Sequence, residues 1–85
     1  MDISRQEQRV LHALAQGGYI HPIKDTRGKI ADIECYTRDG WLLTQCDMVL
    51  FKKLRRRKTI VSQNGGAYRI TRRGIELVRS QVDNR

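Results

Sequence analysis

The densest chemical feature of the chain is Lys52-Lys53-Leu54-Arg55-Arg56-Arg57-Lys58, six cationic side chains in seven residues. Arg69, Arg72 and Arg73 follow close behind. Lys and Arg neutralise phosphates and release condensed counterions, so such a cluster supplies affinity for a polyanion without reading its sequence. Arg also reads guanine edges bidentately when its backbone is held in a groove. No acidic residue stands four places from the run to neutralise it. These nine residues are the candidate set for binding a partner or nucleic acid, with double-stranded DNA as the nucleic-acid form. An acidic protein surface is drawn by the same field, and a solvated helix face that only aids solubility is the plainest alternative. Interleaved aromatics would favour single strands, through base stacking. Tyr19, Tyr36, Trp41, Phe51 and Tyr68 sit at apolar-phase or strand positions, which assigns most of them to the core. Tyr68 alone is kept as a contact.

Metal and catalytic chemistry find little support. His12, His21, Cys35 and Cys46 are separated by 8, 13 and 10 residues. Structural zinc sites pair ligands about two to five residues apart, because one turn must offer both. There is no G-x-S-x-G elbow and no Walker loop. A Cys35–His12 dyad has no supporting motif. The expectation is therefore a binding protein, not an enzyme, with no metal and no cofactor.

The elements that must position the basic residues are legible in outline. Ser4-Arg5-Gln6-Glu7 matches the S-x-x-E capping box and opens a first helix. Val10, Leu11 and Leu14 follow at helical spacing, and Gly17-Gly18 stops the helix. Residues 19–44 read as a small antiparallel meander. Tyr19-Ile20-His21-Pro22-Ile23 contains Pro, which favours an edge strand. Residues 29–36 alternate, with Ala31, Ile33 and Cys35 on one face. Arg38-Asp39-Gly40 turns the chain into a returning strand at Trp41-Leu42-Leu43. Thr44 is the expected N-cap of a second helix over 45–57, whose Cys46, Leu50 and Leu54 face the core with Phe51 beside them. Its cationic end suits the helix macrodipole.

Thr59–Ser62 and Ala67–Ile70 flank Gln63-Asn64-Gly65-Gly66, a hairpin signature. Thr71 caps a last helix over 72–82, with Ile75, Val78 and Val82 inward, and Asp83-Asn84-Arg85 should fray. The order is helix, meander, helix, hairpin, helix. A basic helix followed at once by a hairpin matches the second half of a winged helix-turn-helix. The meander stands where another helix would be. The expected fold is therefore α+β, a winged-helix-like single domain over residues 1–85.

Length and charge agree with this reading. The 85 residues carry 17 Lys or Arg against 9 Asp or Glu, for a net charge of +8. Residues 1–40 hold six basic and six acidic side chains; residues 41–85 hold eleven and three. Nine of those eleven lie between Lys52 and Arg73. An acidic partner should meet that half. No apolar run of membrane-spanning length occurs and the first residues do not resemble an export signal, so no membrane partner and a cytoplasmic location are expected. Cys35 and Cys46 are then expected as free thiols.

Ser4-Arg5-Gln6-Glu7-Gln8-Arg9, Leu11-His12, Gly17-Gly18, Glu34-Cys35-Tyr36, Phe51-Lys52-Lys53-Leu54, Tyr68-Arg69-Ile70 and Asp83-Asn84-Arg85, taken in order, resemble the YjhX-like toxin family of small bacterial proteins. The resemblance runs from end to end; no single motif is specific, but the ordered set is. It implies a toxin of a type II toxin–antitoxin pair that inhibits bacterial DNA topoisomerase I by protein–protein binding. It also implies an antitoxin that resembles a GNAT-type acetyltransferase. It transfers no site residues. The functional expectation is an inhibitory module that meets topoisomerase I through the basic helix and wing. The alternative is a winged-helix DNA-binding transcriptional regulator. The two can coexist, since the resemblance also suggests operator binding by the toxin–antitoxin complex.

Overall fold

The computed structural model describes residues 3–82, with side chains described as far as residue 79. The expected fraying of Asp83–Arg85 and the inward setting of Val82 lie outside those bounds. The first helix, α1 (Arg5–Ala15), begins as its capping box requires. The Glu7 amide donates to Ser4 Oγ at 3.1 Å and the Ser4 amide donates to Glu7 Oε1 at 3.0 Å. Two otherwise orphaned donors are thus satisfied at the helix start. Gly17, at φ 112°, ends the helix in a conformation that other residues rarely adopt.

Three strands follow: β1 (Tyr19–Lys24), β2 (Ile30–Tyr36) and the two-residue β3 (Leu42–Leu43). The Asp25 carboxylate closes the β1–β2 turn by accepting from the amides of Arg27 and Lys29 at 2.8 and 2.9 Å. Helix α2 spans Met48–Arg56. Strands β4 (Ile60–Ser62) and β5 (Tyr68–Ile70) form a hairpin, and α3 (Arg72–Val82) closes the described chain.

All five strands join one antiparallel sheet in the order β3-β2-β1-β5-β4. One expectation changes here. The strand containing Pro22 is the central strand, not an edge. β5 meets it only through the Ile20–Tyr68 pair. Pro22 lies beyond that pair, where β1 has a partner on the β2 side alone, so the missing donor is tolerated. The β4–β5 hairpin, expected as the wing, is joined by that same pair to the meander.

The second helix also starts later than expected. Its N-cap is Asp47, whose Oδ1 accepts from the Leu50 amide at 2.9 Å, and not Thr44. Cys46 is buried, but it precedes the helix. Leu50, Phe51 and Leu54 are buried as their spacing requires. They pack with Val10, Leu11 and Leu14 of α1, with Ile20, Ile33 and Cys35 of the sheet, and with Ile60 and Val78. Ala31 is exposed, so the inward face of β2 begins at Ile33. Trp41, assigned to the core by its strand position, is 74% exposed.

α2 ends in a tight exit. Lys58 takes φ 61°, and the buried Thr59 hydroxyl donates to Leu54 O at 2.8 Å. Thr71 ties the next junction: its hydroxyl donates to Lys58 O at 2.8 Å and accepts from the Gly74 amide at 3.2 Å. A Cβ at Gly74 would lie 2.6 Å from both Ile70 Cγ1 and Thr59 O. The first turn of α3 therefore needs glycine to pack against the hairpin.

Asp47→Ala should lower stability by about 0.5–2 kcal/mol, whereas Thr44→Ala should stay within about 0.5 kcal/mol of the parent. Leu54→Ala should cost about 2–5 kcal/mol. Urea unfolding of the three variants checks this order.

Candidate functional site

The basic run does not present one face. α2 turns by about 100° per residue, so residues four apart share a face and adjacent residues do not. Lys53 and Arg57 point at α1. Lys53 Nζ lies 3.4 Å from Glu7 Oε1, and Arg57 Nε lies 3.5 Å from Glu7 Oε2. The Glu7 side chain is 0% exposed, against 43% for Lys53 and 23% for Arg57. Burial pushes the Glu7 carboxyl up. The hydrogen bonds from the Ser4 backbone and hydroxyl, then the charges of Arg57 and Lys53, outweigh it, leaving the group below its ordinary value. Glu7 looked like a capping residue alone. Its spacing to Val10, Leu11 and Leu14 is that of the apolar stripe, and this is the signal that could have placed it inside.

Lys52 and Arg55 turn the other way. They line an open groove of about 420 Å³ between α2, the β1–β2 turn and the β4–β5 turn. Lys24 and Lys29, from the electrically neutral half of the sequence, line it too. No carboxylate is among the lining residues. The Lys24 ammonium donates to Gly65 O at 3.3 Å and so bridges β1 to the hairpin turn. Asn64 and Gly65 take φ values of 59° and 73°, which places that turn beside Lys24. Pro22, Ile30, Met48 and Tyr68 add apolar side chains to the lining, beside the buried Phe51. Tyr68 meets Phe51 edge to face, with centroids 4.9 Å apart. The Arg55 guanidinium lies 5.9 Å from the Phe51 centroid, which sets a charge beside those apolar side chains. Lys24 and Lys29 were missed because they gather only across a turn and a sheet; no linear pattern marks them.

The remaining candidates scatter. Lys58 lines a neighbouring groove that shares Arg55 and Tyr68. Arg56 is exposed on α2 and Arg73 on α3. Arg72 is 92% exposed and lies 3.8 Å from Glu76. Arg69 follows Tyr68 on β5 and faces the opposite side of the strand, with its guanidinium 5.5 Å from the Tyr19 ring centroid. Helix and hairpin cations therefore do not merge into a single surface.

Among the described residues, no three of the His, Cys, Asp and Glu side chains gather as metal ligands would. Cys35 and Cys46 are free and buried. The two thiols share a hydrogen bond that, with burial, holds Cys46 protonated well above the ordinary thiol range. No helix among the described residues is long and apolar enough to cross a membrane.

A family model described as "Putative toxin of bacterial toxin-antitoxin pair" matches residues 1–85. The chain belongs to the YjhX toxin family. A "UPF0386 protein" of Chelativorans sp. is 64% identical over 85 residues, covering 100% of both chains. Another of Hyphomonas neptunium is 63% identical over 84 residues, covering 99% of each. A third, of Agrobacterium fabrum, is 54% identical over the full length of both. No solved structure matches the chain. Membership in a toxin family implies an antitoxin as a partner of this YjhX-family chain.

Because the Glu7 value is lowered in the folded state, its ionic contribution is fully present above the unfolded value, and falls away as pH drops through the folded one. Glu7→Gln should therefore destabilise by about 1–3 kcal/mol at neutral pH. The gap to the parent should close below about pH 4. Melting temperatures from pH 7 to pH 2, roughly the range over which carboxylates titrate, test the sign.

Proposed function

We propose that this toxin acts by binding rather than by catalysis. It docks on bacterial DNA topoisomerase I and blocks access of DNA or strand passage. A GNAT-like acetyltransferase partner neutralises it. The family resemblance supplies both partner identities. The observation that supports a binding mode is the convergence of Lys24, Lys29, Lys52 and Arg55 on one groove whose lining holds no carboxylate. Such a concave cationic site concentrates field lines and accelerates capture of an acidic surface.

The second reading is a DNA-binding regulator. It is favoured by Arg56, Arg72 and Arg73, which are exposed outside the groove. It requires duplex affinity that falls steeply with salt. The helix-and-wing form of this reading is weakened by Lys53 and Arg57, which are directed at Glu7, and by Arg69, which lies over Tyr19.

The deciding experiment is relaxation of supercoiled plasmid by purified topoisomerase I, paired with capture of the enzyme in the absence of DNA. The toxin should inhibit relaxation in proportion to a DNA-free complex. The double variant Lys52→Ala, Arg55→Ala should lose at least about tenfold in both. Its melting temperature should stay close to that of the parent, since both residues are exposed. Lys53 is left intact because it faces the buried Glu7, and Arg56 because it lies outside the groove. Full inhibition by the double variant would refute the role of this surface.

A further inference from the structure

We propose that the groove between α2, the β1–β2 turn and the β4–β5 turn is a docking site for an acidic peptide segment of a partner protein, one that carries an apolar anchor residue. This rests on the reading above that the chain acts on a protein. Charge complementarity names the sign of the occupant. Lys24 ends β1 and Lys29 lies at the far side of the turn that follows, while Lys52 and Arg55 come from a helix twenty or more residues later; no carboxylate lines the space they share. Solvation of a helix face explains Lys52 and Arg55 alone. It does not explain why the turn cations of a neutral segment meet them.

The apolar part of the lining names the rest of the occupant. Pro22, Ile30, Met48 and Tyr68 share the lining with the four cations. A bare phosphate gains nothing from them, and a duplex backbone brings charge with no apolar side chain to meet them. A peptide strand brings both: its carboxylates meet the cations and one large side chain enters the groove, whose 420 Å³ lies within the range of roughly 300–1,000 Å³ usual for ligand sites. Acidic-motif recognition by clustered cations is a known mode of peptide binding. The walls are held before any partner arrives. Lys24 donates to Gly65 O, Asp25 closes the turn between Lys24 and Lys29, and the Ser62 hydroxyl donates to Gly66 O at 2.7 Å. Fixed walls reduce the ordering cost of binding.

The test uses the full chain and labelled probes followed by fluorescence anisotropy. The first probe is a peptide of about ten Asp and Glu residues around a central Phe. The second is the same peptide with Gly for Phe, and the third a duplex of about 15 base pairs. At roughly 0.15 M salt, the Phe peptide should bind at least about tenfold more tightly than the Gly peptide. Lys24→Ser with Lys29→Ser should weaken the Phe peptide at least about tenfold, and Arg72→Ser with Arg73→Ser less than about twofold. Lys29→Ser alone, which leaves the Lys24–Gly65 bond in place, should give part of that loss if the double variant does not fold.

The proposal is overturned if the Phe peptide does not bind, if the Gly peptide binds equally, or if neither Lys24 nor Lys29 matters. It is also overturned if the duplex binds more tightly with the same dependence on those lysines. Capture of topoisomerase I separates the two levels of the argument. Capture by parent and lysine variant alike overturns the groove and leaves the toxin reading standing. Failure of the parent to capture it, with the Phe peptide still bound, overturns the topoisomerase reading and leaves the groove.

Discussion

A single buried carboxylate organises the cationic half of this molecule. Glu7 sits in the first turn of α1 at 0% exposure, and its two oxygens face Lys53 and Arg57 near the end of α2. An unpaired carboxylate at such a site would be strongly disfavoured. Here the Ser4 amide supplies a hydrogen bond and the two cations supply the counter-charge. Positive side chains at the end of one helix thus answer a negative one at the start of another, an arrangement that both macrodipoles favour. The consequence is rotational. Once Lys53 and Arg57 face inward, the helical period turns Lys52 and Arg55 toward the groove and Arg56 toward solvent.

The sheet provides the second constraint. Without the Ile20–Tyr68 pair, the meander and the hairpin would be separate ribbons, each of few strands and marginal alone. Joining them sets the β1–β2 turn beside the β4–β5 turn, and Lys24 reaches across to Gly65. The groove is therefore a product of topology. Two of its cations come from a helix and two from a hairpin turn, and it exists only while one strand joins the two halves.

These two constraints mark where the sequence was readable. Local signals worked: the capping box at Ser4–Glu7, the stripe of Leu50 and Leu54, and the left-handed turn at Asn64-Gly65 each depend on neighbours a few residues away. Signals that depend on distant neighbours did not. Pro22 reads as an edge residue by its chemistry, and only the shortness of β5 lets it stand in the middle strand. Trp41 reads as core by its strand position, yet it stands just before β3, which has only two residues and lies at the sheet margin. Thr44 and Asp47 are both able caps; the chain uses the one immediately before Met48. The basic run was visible, while its division between Glu7 and the groove was not, because sequence records charge but not the direction in which a side chain points.

That division bears on what kind of partner such a surface can take. Cations aimed at a convex, solvated face act through a field that salt screens over roughly 8–10 Å. Cations that share a groove with apolar side chains act together with that surface, so the geometry of a contact is more restricted. Arg56, Arg72 and Arg73 belong to the first kind, and Lys24, Lys29, Lys52 and Arg55 to the second. The first kind steers any polyanion. The second kind selects, because an occupant must bring negative charge and apolar surface together to use the whole site. A duplex offers only the charge, and an ordinary hydrophobic segment only the surface. The same chain can therefore be steered toward any polyanion by its outer arginines and still select an occupant of the groove by charge and apolar surface together.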